Sequence, residues 1–312
     1  MAILITGGTG FTGSALIDKL LARGEKVYSV SRSSPVLREG LAPLRGDVLE
    51  PCFGLKEILY PVAGEISAVY HLAAILRLGN DKDGSIWRTN VEGTKNVIDF
   101  CLKCAIPHLY FCSTAYTQGR NTYEKSKASC EEMLAVSDIP RVTIFKPSII
   151  MGNGDSFYSG HVSQFVTLVI NTLAKVRIAW RKAEETLRLP VLLEPVLRIR
   201  GNPEGKINLI QLDQVIRGMS NITEAGTFWL TNPDPPTVQQ ICDWIGDYIM
   251  VKLKVMTEEY KRMPLEVIFD KKITAFAPYL WGDDFPSDLK DCPPISREFI
   301  LDTVKSTLLN KA

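Results

Sequence analysis

Short apolar runs alternate with amphipathic segments along the first half of the chain. The runs AILITG, KVYSVSR, AVYHLAA, HLYFCST and VTIFKPSII have strand length, and LRGDV is a candidate for a further short strand. Helical spacing fills the intervals, in SALIDKLLARG closed by Gly24, in FGLKEILYPV, in NVEGTKNVIDFCLKCA and from Tyr123 to about Val136. Strands that alternate with helices favour right-handed crossovers and a parallel sheet covered on both faces. The pattern predicts a doubly wound, Rossmann-type α/β domain over residues 1–155.

The second half has a different pattern, with longer apolar segments of helical spacing. Residues 156–312 are predicted to form a smaller, mostly helical portion that binds the substrate, with some segments returning to the sheet. The segment SGHVSQFVTLVINTLAKVRIAW has more apolar surface than one amphipathic stripe needs. Its apolar side chains are Phe165, Val166, Leu168, Val169, Ile170, Leu173 and Val176. Either they are core throughout, or part of this surface lines a groove.

Composition narrows the classes of function. A net charge of +1 over 312 residues gives no electrostatic footprint for nucleic acid or an anionic membrane. No apolar run reaches transmembrane length, and MAILITGG leads directly into structure without a charged leader, which predicts a soluble, cytoplasmic protein. Seven cysteines, an odd number, favour reduced thiols, and three scattered histidines argue against a metal site.

The first predicted loop carries a candidate phosphate-binding site. The loop TGGTGFTG, residues 6–13, places Gly7, Gly10 and Gly13 between a strand and a helix. Glycine allows a sharp turn and close approach of the backbone to a pyrophosphate, while the helix N-terminus offers N–H groups and a positive dipole. The alternative is simply a tight loop, but the strand–loop–helix context favours a dinucleotide.

The end of the second predicted strand indicates which dinucleotide. An NAD site would carry an acidic residue there to bind the ribose 2′-hydroxyl, whereas this chain has Ser31, Arg32 and Ser33. A guanidinium with flanking hydroxyls suits a 2′-phosphate, so NADP is predicted, with NAD as the alternative. A solvated surface arginine is the other interpretation of Arg32.

A candidate proton-transfer site lies in FCSTAYTQGRNTYEKSK, residues 111–127. Tyr123 and Lys127, at spacing i and i+4, share one face of the predicted helix. Ser113 and Thr114 end the preceding strand, where polar groups reach the rim of a sheet. The alternative is a half-buried tyrosine and a lysine whose stem covers apolar surface.

The motifs TGGTGFTG, GDV, HLAA, NVEGT, YEKSK and KPS, in this order over about half of the chain, resemble the extended short-chain dehydrogenase/reductase family. The resemblance implies that Asp47 and Val48 flank the adenine, that Leu72, Ala73 and Ala74 follow the cofactor, and that Pro147, Ser148 and Ile149 lie near the nicotinamide. The expected cofactor-binding residues are Gly7, Thr9, Gly10, Phe11, Thr12, Gly13, Arg32, Asp47, Val48, Leu72, Ala73, Ala74, Asn90, Tyr123, Lys127, Pro147, Ser148 and Ile149. Two alternatives remain: Asp47 caps a turn, and HLAA is only a buried strand end.

The resemblance also implies catalytic roles. Tyr123 exchanges a proton with a substrate oxygen while hydride moves at carbon, and Lys127 binds the nicotinamide ribose and lowers the pKa of Tyr123. Alignment gives the hydroxyl role to Thr114, with Ser113 as neighbour. The connection from Thr114 to Tyr123 is shorter than in sugar epimerases of the family, which leaves either hydroxyl as the donor.

The order of segments in the second half is similar to the thioester-reductase and fatty-acyl-reductase branch. It implies an NADPH-dependent oxidoreductase that reduces an acyl thioester, or the derived carbonyl, supplied on coenzyme A or a carrier protein. The alternatives are a nucleotide-sugar or small-ketone reductase, epimerase or dehydratase, and a non-catalytic NADP-binding regulator. A homodimer through the two helices flanking the central sheet is also implied.

Overall fold

A seven-stranded parallel sheet is the centre of the computed structural model of this protein. The structure describes residues 1–33, 37–79, 81–152, 165, 167–169, 171–172, 185 and 196–309. The strands are β1 (Ala2–Thr6), β2 (Lys26–Ser31), β3 (Leu41–Arg45), β4 (Ile66–His71), β5 (His108–Cys112), β6 (Arg141–Pro147), β7 (Ile149–Met151), β8 (Val196–Arg200), β9 (Leu209–Gln211), β10 (Gly226–Leu230) and β11 (Lys252–Met256). The longer helices are α1 (Phe11–Leu21), α2 (Lys56–Val62), α3 (Gly93–Lys103), α4 (Thr122–Ala135), α5 (Leu212–Asn221), α6 (Val238–Ile249), α7 (Pro264–Ile273) and α8 (Arg297–Leu309).

The strand order β10-β6-β5-β4-β1-β2-β3 places the reversal of winding between β1 and β4. Their register aligns Thr6 with His71, the last residue of each strand. Loops that leave two such strands diverge and open a crevice at the carboxyl ends, where ligands of doubly wound folds bind. All five residues of β1 are buried, as expected for a central parallel strand covered on both faces.

The α/β fold with a doubly wound parallel sheet, predicted from the sequence, is confirmed. The candidate strand at LRGDV forms as β3, whose range is Leu41–Arg45, so the motif GDV follows the strand. The predicted single strand VTIFKPSII is divided. Its first part is β6 in the large sheet, and Ile149 begins β7, which pairs with β9 in a separate two-stranded sheet.

The chain folds into two compact units. The first contains Met1–Ser148, Leu212–Thr231 and Pro286–Asp291, and the second contains the remaining segments Ile149–Gln211, Asn232–Phe285 and Cys292–Ala312. The boundary after residue 155 stays a prediction, and in this division the first segment of the first unit ends at Ser148 and the chain returns to that unit with α5 and β10. β10 pairs with β6 and becomes an edge strand of the large sheet.

The second unit has its own apolar core. Two short parallel pairs, β7 with β9 and β8 with β11, are accompanied by helices including α6, α7 and α8. Phe165 and Val169 belong to this core, and the Phe165 ring meets Phe269 edge-on at 6.2 Å between centroids. Leu168 is partly buried against the same cluster. The other apolar side chains of the predicted groove, Val166, Ile170, Leu173 and Val176, lie outside the described residues.

Candidate active site

The glycine loop after β1 is too closely packed for side chains. Gly7 has φ +77°, and a Cβ there would lie 2.6 Å from the backbone nitrogen of Ala73. A Cβ on Gly13 would lie 2.3 Å from the carbonyl oxygen of Gly7. Helix α1 begins after Gly10, and no side chain caps it there. The positive end of the helix dipole therefore lies at the glycine loop. This cradle fits the pyrophosphate of a dinucleotide.

Buried polar groups join the ends of β1 and β4 beneath this loop. The Thr94 hydroxyl donates to the backbone carbonyl of Asn90 at 2.6 Å, so it accepts from Nε2 of His71 at 3.0 Å. Nδ1 of His71 then accepts from the Thr6 hydroxyl at 2.7 Å, and this network assigns the neutral Nε2–H tautomer. Burial, followed by the charge of Lys127, lowers the pKa of His71 to about 3.

Asn90, an expected cofactor ligand, uses its side chain within the protein. Its Oδ1 accepts from the backbone nitrogen of Ile75 at 2.8 Å, and its Nδ2 donates to the Ile75 carbonyl and to the Ser126 hydroxyl. It lies in a π-helical turn, Arg88–Glu92, that leads into α3. These contacts hold the segment after HLAA against α4, which gives Asn90 a supporting position.

Local capping determines where α4 starts and which residues its first turn presents. The Asn121 side chain accepts from the backbone nitrogen of Glu124 at 3.0 Å, and the Glu124 carboxylate accepts from the backbone nitrogen of Arg120 at 3.0 Å. Tyr123 and Lys127 follow on one face of the helix and are 8% and 3% exposed.

The Lys127 ammonium is buried beside the end of β5. Nζ donates to the backbone carbonyl of Cys112 at 2.7 Å and lies 4.6 Å from the centre of the Phe111 ring. Burial lowers the pKa of Lys127 below its usual value, and the Glu131 carboxylate offsets only part of this shift. The lysine is therefore held at the strand end by a backbone acceptor and an aromatic face.

The two candidate hydroxyls at the end of β5 have different partners. The Ser113 hydroxyl donates to the carboxylate of Glu131. The Thr114 oxygen accepts from the backbone nitrogen of Tyr116 at 3.2 Å, and no described residue accepts a hydrogen bond from it. The Thr114 hydroxyl could donate a hydrogen bond to a substrate oxygen without breaking an existing one. The Ser113 hydroxyl would first have to give up its hydrogen bond to Glu131.

The predicted adenosine end lies at the ends of β2 and β3. The Asp47 carboxylate accepts from the backbone nitrogen of Leu49 at 3.0 Å, so it does cap a turn, and Val48 is buried against α3. Arg32 directly follows β2, is exposed, and forms no hydrogen bond or ion pair within the described ranges. Its guanidinium can therefore meet a ligand without losing a protein partner.

Other expected cofactor residues follow the strand ends. Thr9 is exposed in the glycine loop, while Phe11 and Thr12 are half-buried at the start of α1. Leu72, Ala73 and Ala74 are half-buried after β4. These residues lie directly after the ends of β1 and β4, and their contacts with a cofactor stay a prediction.

The predicted nicotinamide-side motif is divided between the units. Pro147 ends β6, Ser148 donates its backbone N–H to Leu230 at 3.3 Å, and Ile149 begins β7 in the second unit. The hydroxyl oxygen of Ser148 is buried without a hydrogen-bond partner among the described residues. An unpaired buried hydroxyl is costly, so it is a donor that a bound cofactor can use.

Sequence analysis did not single out five residues that support this site, namely the buried Thr6, His71, Thr94 and Lys146 and the half-buried Glu131. The i, i+4 spacing of Lys127 and Glu131 was visible, but their partners on other elements were not. No set of three or more His, Cys, Asp or Glu in the described ranges is arranged to hold a metal ion. Across the same residues, no helix combines the length and apolarity needed to cross a membrane.

Proteins of similar sequence include reductases. A protein of Stenotrophomonas maltophilia (strain K279a) named 2-alkyl-3-oxoalkanoate reductase is 34% identical over 179 residues, which cover 50% of this chain and 52% of that protein. A Drosophila melanogaster protein named "Putative fatty acyl-CoA reductase CG8303" is 29% identical over 147 residues, covering 38% of this chain and 27% of its relative. The matches thus span about half or less of the length of these relatives.

Solved structures share the fold along the whole chain. The terminal R domain of the myxalamid PKS-NRPS biosynthetic pathway superposes with a TM-score of 0.72 at 18% identity, over 99% of this chain and 91% of that domain. UDP-glucose 4-epimerase of Thermotoga maritima with UDP-glucose gives a TM-score of 0.64 at 18% identity, with both chains fully covered. The model of the NAD dependent epimerase/dehydratase family matches residues 3–182, more than half of the chain. The glycine cradle, the Tyr–Lys pair and this match together show that the chain belongs to the NAD dependent epimerase/dehydratase family, whose NAD(P)-dependent enzymes are extended short-chain dehydrogenases/reductases.

Proposed function

We propose that this protein is an NADPH-dependent reductase of an acyl thioester or of the carbonyl compound derived from it. The observation that carries the proposal is the hydroxyl arrangement at the end of β5. Thr114 has a proton that no described residue accepts, whereas Ser113 is committed to Glu131. Tyr123 and Lys127 are buried in the first two turns of α4. We expect one carbonyl oxygen to accept hydrogen bonds from the Thr114 and Tyr123 hydroxyls together.

The residues of this chain bind and orient the cofactor and the substrate, and they transfer one proton. The cofactor, when bound, supplies hydride to the carbonyl carbon. Thr114 and Tyr123 hold the carbonyl oxygen, Tyr123 gives it a proton, and Lys127 holds the nicotinamide ribose and favours loss of the phenol proton. A thioester reduced in this way becomes a hemithioacetal, which releases a thiol and an aldehyde.

The substrate class is supported by the names of two relatives and of one structural neighbour. Two proteins of similar sequence are named for the reduction of an alkyl-substituted oxoalkanoate and of a fatty acyl-CoA. The neighbour with a TM-score of 0.72 is a terminal R domain. An acyl chain buried along an apolar wall gains about 0.8 kcal/mol per methylene, whereas a nucleotide sugar gains nothing from such a wall.

The second candidate is a nucleotide-sugar epimerase or dehydratase, which the family name and several neighbours of the same fold support. Such enzymes reoxidise their own product and keep the cofactor bound. The reductase instead consumes NADPH in proportion to substrate. Net NADPH consumption therefore separates the two.

The preference for NADP rests on Arg32, which has no partner in the described chain. Replacing Arg32 with Asp removes a fork donor and places a carboxylate near the 2′-phosphate. We expect NADPH binding to weaken far more than NADH binding, measured by fluorescence titration of both cofactors. An equal loss for the two would remove the reason for preferring NADP.

The substrate is tested by measuring NADPH oxidation against acyl-coenzyme A esters of increasing length, free aldehydes and nucleotide sugars. We expect kcat/KM to rise by about fourfold per methylene until the binding surface is full. Turnover of a nucleotide sugar without net NADPH consumption, together with a flat acyl series, would establish the second candidate. Cofactor binding without turnover of any of these compounds would favour a non-catalytic regulator.

A further inference from the structure

A partly buried ion pair lies next to the end of β5 and has no part in the chemistry described so far. Nζ of Lys146 on β6 lies 2.8 Å and 3.0 Å from the two carboxylate oxygens of Glu131 on α4. The same ammonium donates to the Thr117 hydroxyl at 3.2 Å and lies 4.9 Å from the centre of the Trp229 ring. The Lys146 side chain is 7% exposed and that of Glu131 is 21% exposed. Such a pair is costly to desolvate, and its retention needs a reason.

The contacts of this pair end on three pieces of the candidate site. The Glu131 carboxylate accepts a hydrogen bond from the hydroxyl of Ser113, which lies at the end of β5, one residue before Thr114. Lys146 holds Thr117, in the connection between Thr114 and Tyr123. Glu131 itself follows Lys127 by one helical turn, on the face that also carries Tyr123. The strand end, the connection and the helix face are therefore tied to one charge pair.

We propose that Glu131, paired with Lys146, is a positioning residue that holds the Ser113–Thr114 strand end in place for the substrate and whose charge stabilises the Lys127 ammonium, one helical turn away, for the cofactor. The proposal rests on the proposed function only in assigning Tyr123, Lys127 and Thr114 to the reaction. By engaging Ser113, Glu131 also leaves Thr114 as the hydroxyl that faces the substrate.

The charge beside Lys127 comes from several elements. On α4 the anionic group is Glu131, whereas burial raises the pKa of the Cys130 thiol and of the Cys112 thiol on β5, so both stay neutral. His71 on β4 is buried and neutral. On β6, Lys146 is cationic and neutralises Glu131.

Removing one member of the pair leaves the other uncompensated. Glu131→Gln leaves an unpaired ammonium near Lys127, which lowers the pKa of Lys127 further. Lys146→Met leaves an unpaired carboxylate, which raises that pKa. The two single substitutions thus act in opposite directions.

The test measures NADPH binding by fluorescence titration as a function of pH, with no substrate present. The midpoint pH at which affinity is lost on the alkaline side is expected to fall by roughly half a unit in Glu131→Gln and to rise by a similar amount in Lys146→Met. The double variant and the charge-retaining Lys146→Arg should lie near the unmodified protein. Glu132→Gln, an exposed neighbour on the same helix, is the matched control and should leave the midpoint unchanged.

Shifts of the two single variants in the same direction, or unchanged midpoints with only a lower Tm, would assign the pair to stability alone and overturn the proposal. Single variants that fail to fold while the double variant folds would overturn it too. Because the readout is cofactor binding, it is independent of the acyl substrate. Opposite shifts in a protein that reduces no thioester would reject the proposed function and keep the positioning role.

Discussion

Two ion-paired carboxylates, one in each unit, have partners of different kinds. Glu266 in the second unit accepts from Nε and Nη2 of Arg198 at 2.7 and 2.8 Å and from the backbone nitrogen of Met263 at 2.7 Å. It thereby caps the start of α7 and ties this helix to β8. Glu131 in the first unit instead binds Lys146 and the Ser113 hydroxyl at the end of a central strand.

The difference lies in what the partners of each pair hold. The contacts of Glu266 end on a helix start and an edge of a two-stranded sheet, and they account for the pair as structural support. The contacts of Glu131 end at the carboxyl edge of the seven-stranded sheet, beside Thr114 and Lys127. Pairing alone therefore does not distinguish the two carboxylates, whereas the positions of their partners in the fold do.

The largest effect on this comparison should come from the phenol. Tyr123→Phe keeps the ring and its packing but deletes the proton donor, so turnover should fall on the order of a hundredfold or more, with NADPH binding nearly intact. Steady-state kinetics and a cofactor titration check both parts. Weakened cofactor binding with unchanged turnover would place the proton donor elsewhere.

The next largest effect should be a difference in kcat between variants of the two hydroxyls at the end of β5. Thr114→Val removes the hydroxyl with the free proton, and we expect about a tenfold or larger loss of kcat. Ser113→Ala should cost less, because its hydroxyl serves Glu131. The opposite order in parallel kinetic measurements would move the substrate contact to Ser113.

His71 should make the first unit sensitive to acid. Its pKa is about 3 in the folded protein, because of burial and then the charge of Lys127, and about 6.5 when unfolded. Between these two pKa values His71 is protonated in the unfolded chain but neutral in the folded one, so the free energy of unfolding falls as the pH falls. From pH 7.5 to pH 5 this group alone should remove about 2 kcal/mol from the free energy of unfolding.

Denaturant unfolding of the protein and of His71→Gln at both pH values measures this contribution. The variant is less stable at pH 7.5 because Thr6 and Thr94 lose their shared partner. Its further loss at pH 5 should be smaller by the amount that His71 contributes. Equal losses at pH 5 would mean that His71 is protonated in the folded state.

The smallest effect on function should come from the second unit. Glu266→Gln weakens the cap of α7 and the bond to Arg198, so Tm should fall by several degrees. NADPH affinity should remain that of the unmodified protein. A clear loss of affinity without a loss of Tm would end the distinction between the two carboxylates.

Most of the first unit could be predicted because its signals are local. Apolar runs of strand length, helical spacing between them and the glycines after β1 each depend on residues close in the chain. The division of VTIFKPSII could not be predicted, since the run is continuous in apolar character. Ser148 and Ile149 bond to Leu230 and Asn208, which come from distant segments, and these partners decide where one strand ends.

The sequence by itself determined the α/β alternation, the glycine loop and the i, i+4 pair of Tyr123 and Lys127, because helix and strand periodicity place neighbouring residues without knowledge of the rest. Only the tertiary structure decided which hydroxyl proton lacks an acceptor among the described residues, since Ser113 is engaged by Glu131 from another element. It also decided that His71 stays neutral and that Lys146 pairs with Glu131. The physical reason is that a hydrogen bond or an ion pair requires two groups within a few ångströms, and groups on β4, β5, β6 and α4 meet only when parallel strands bring their carboxyl ends together.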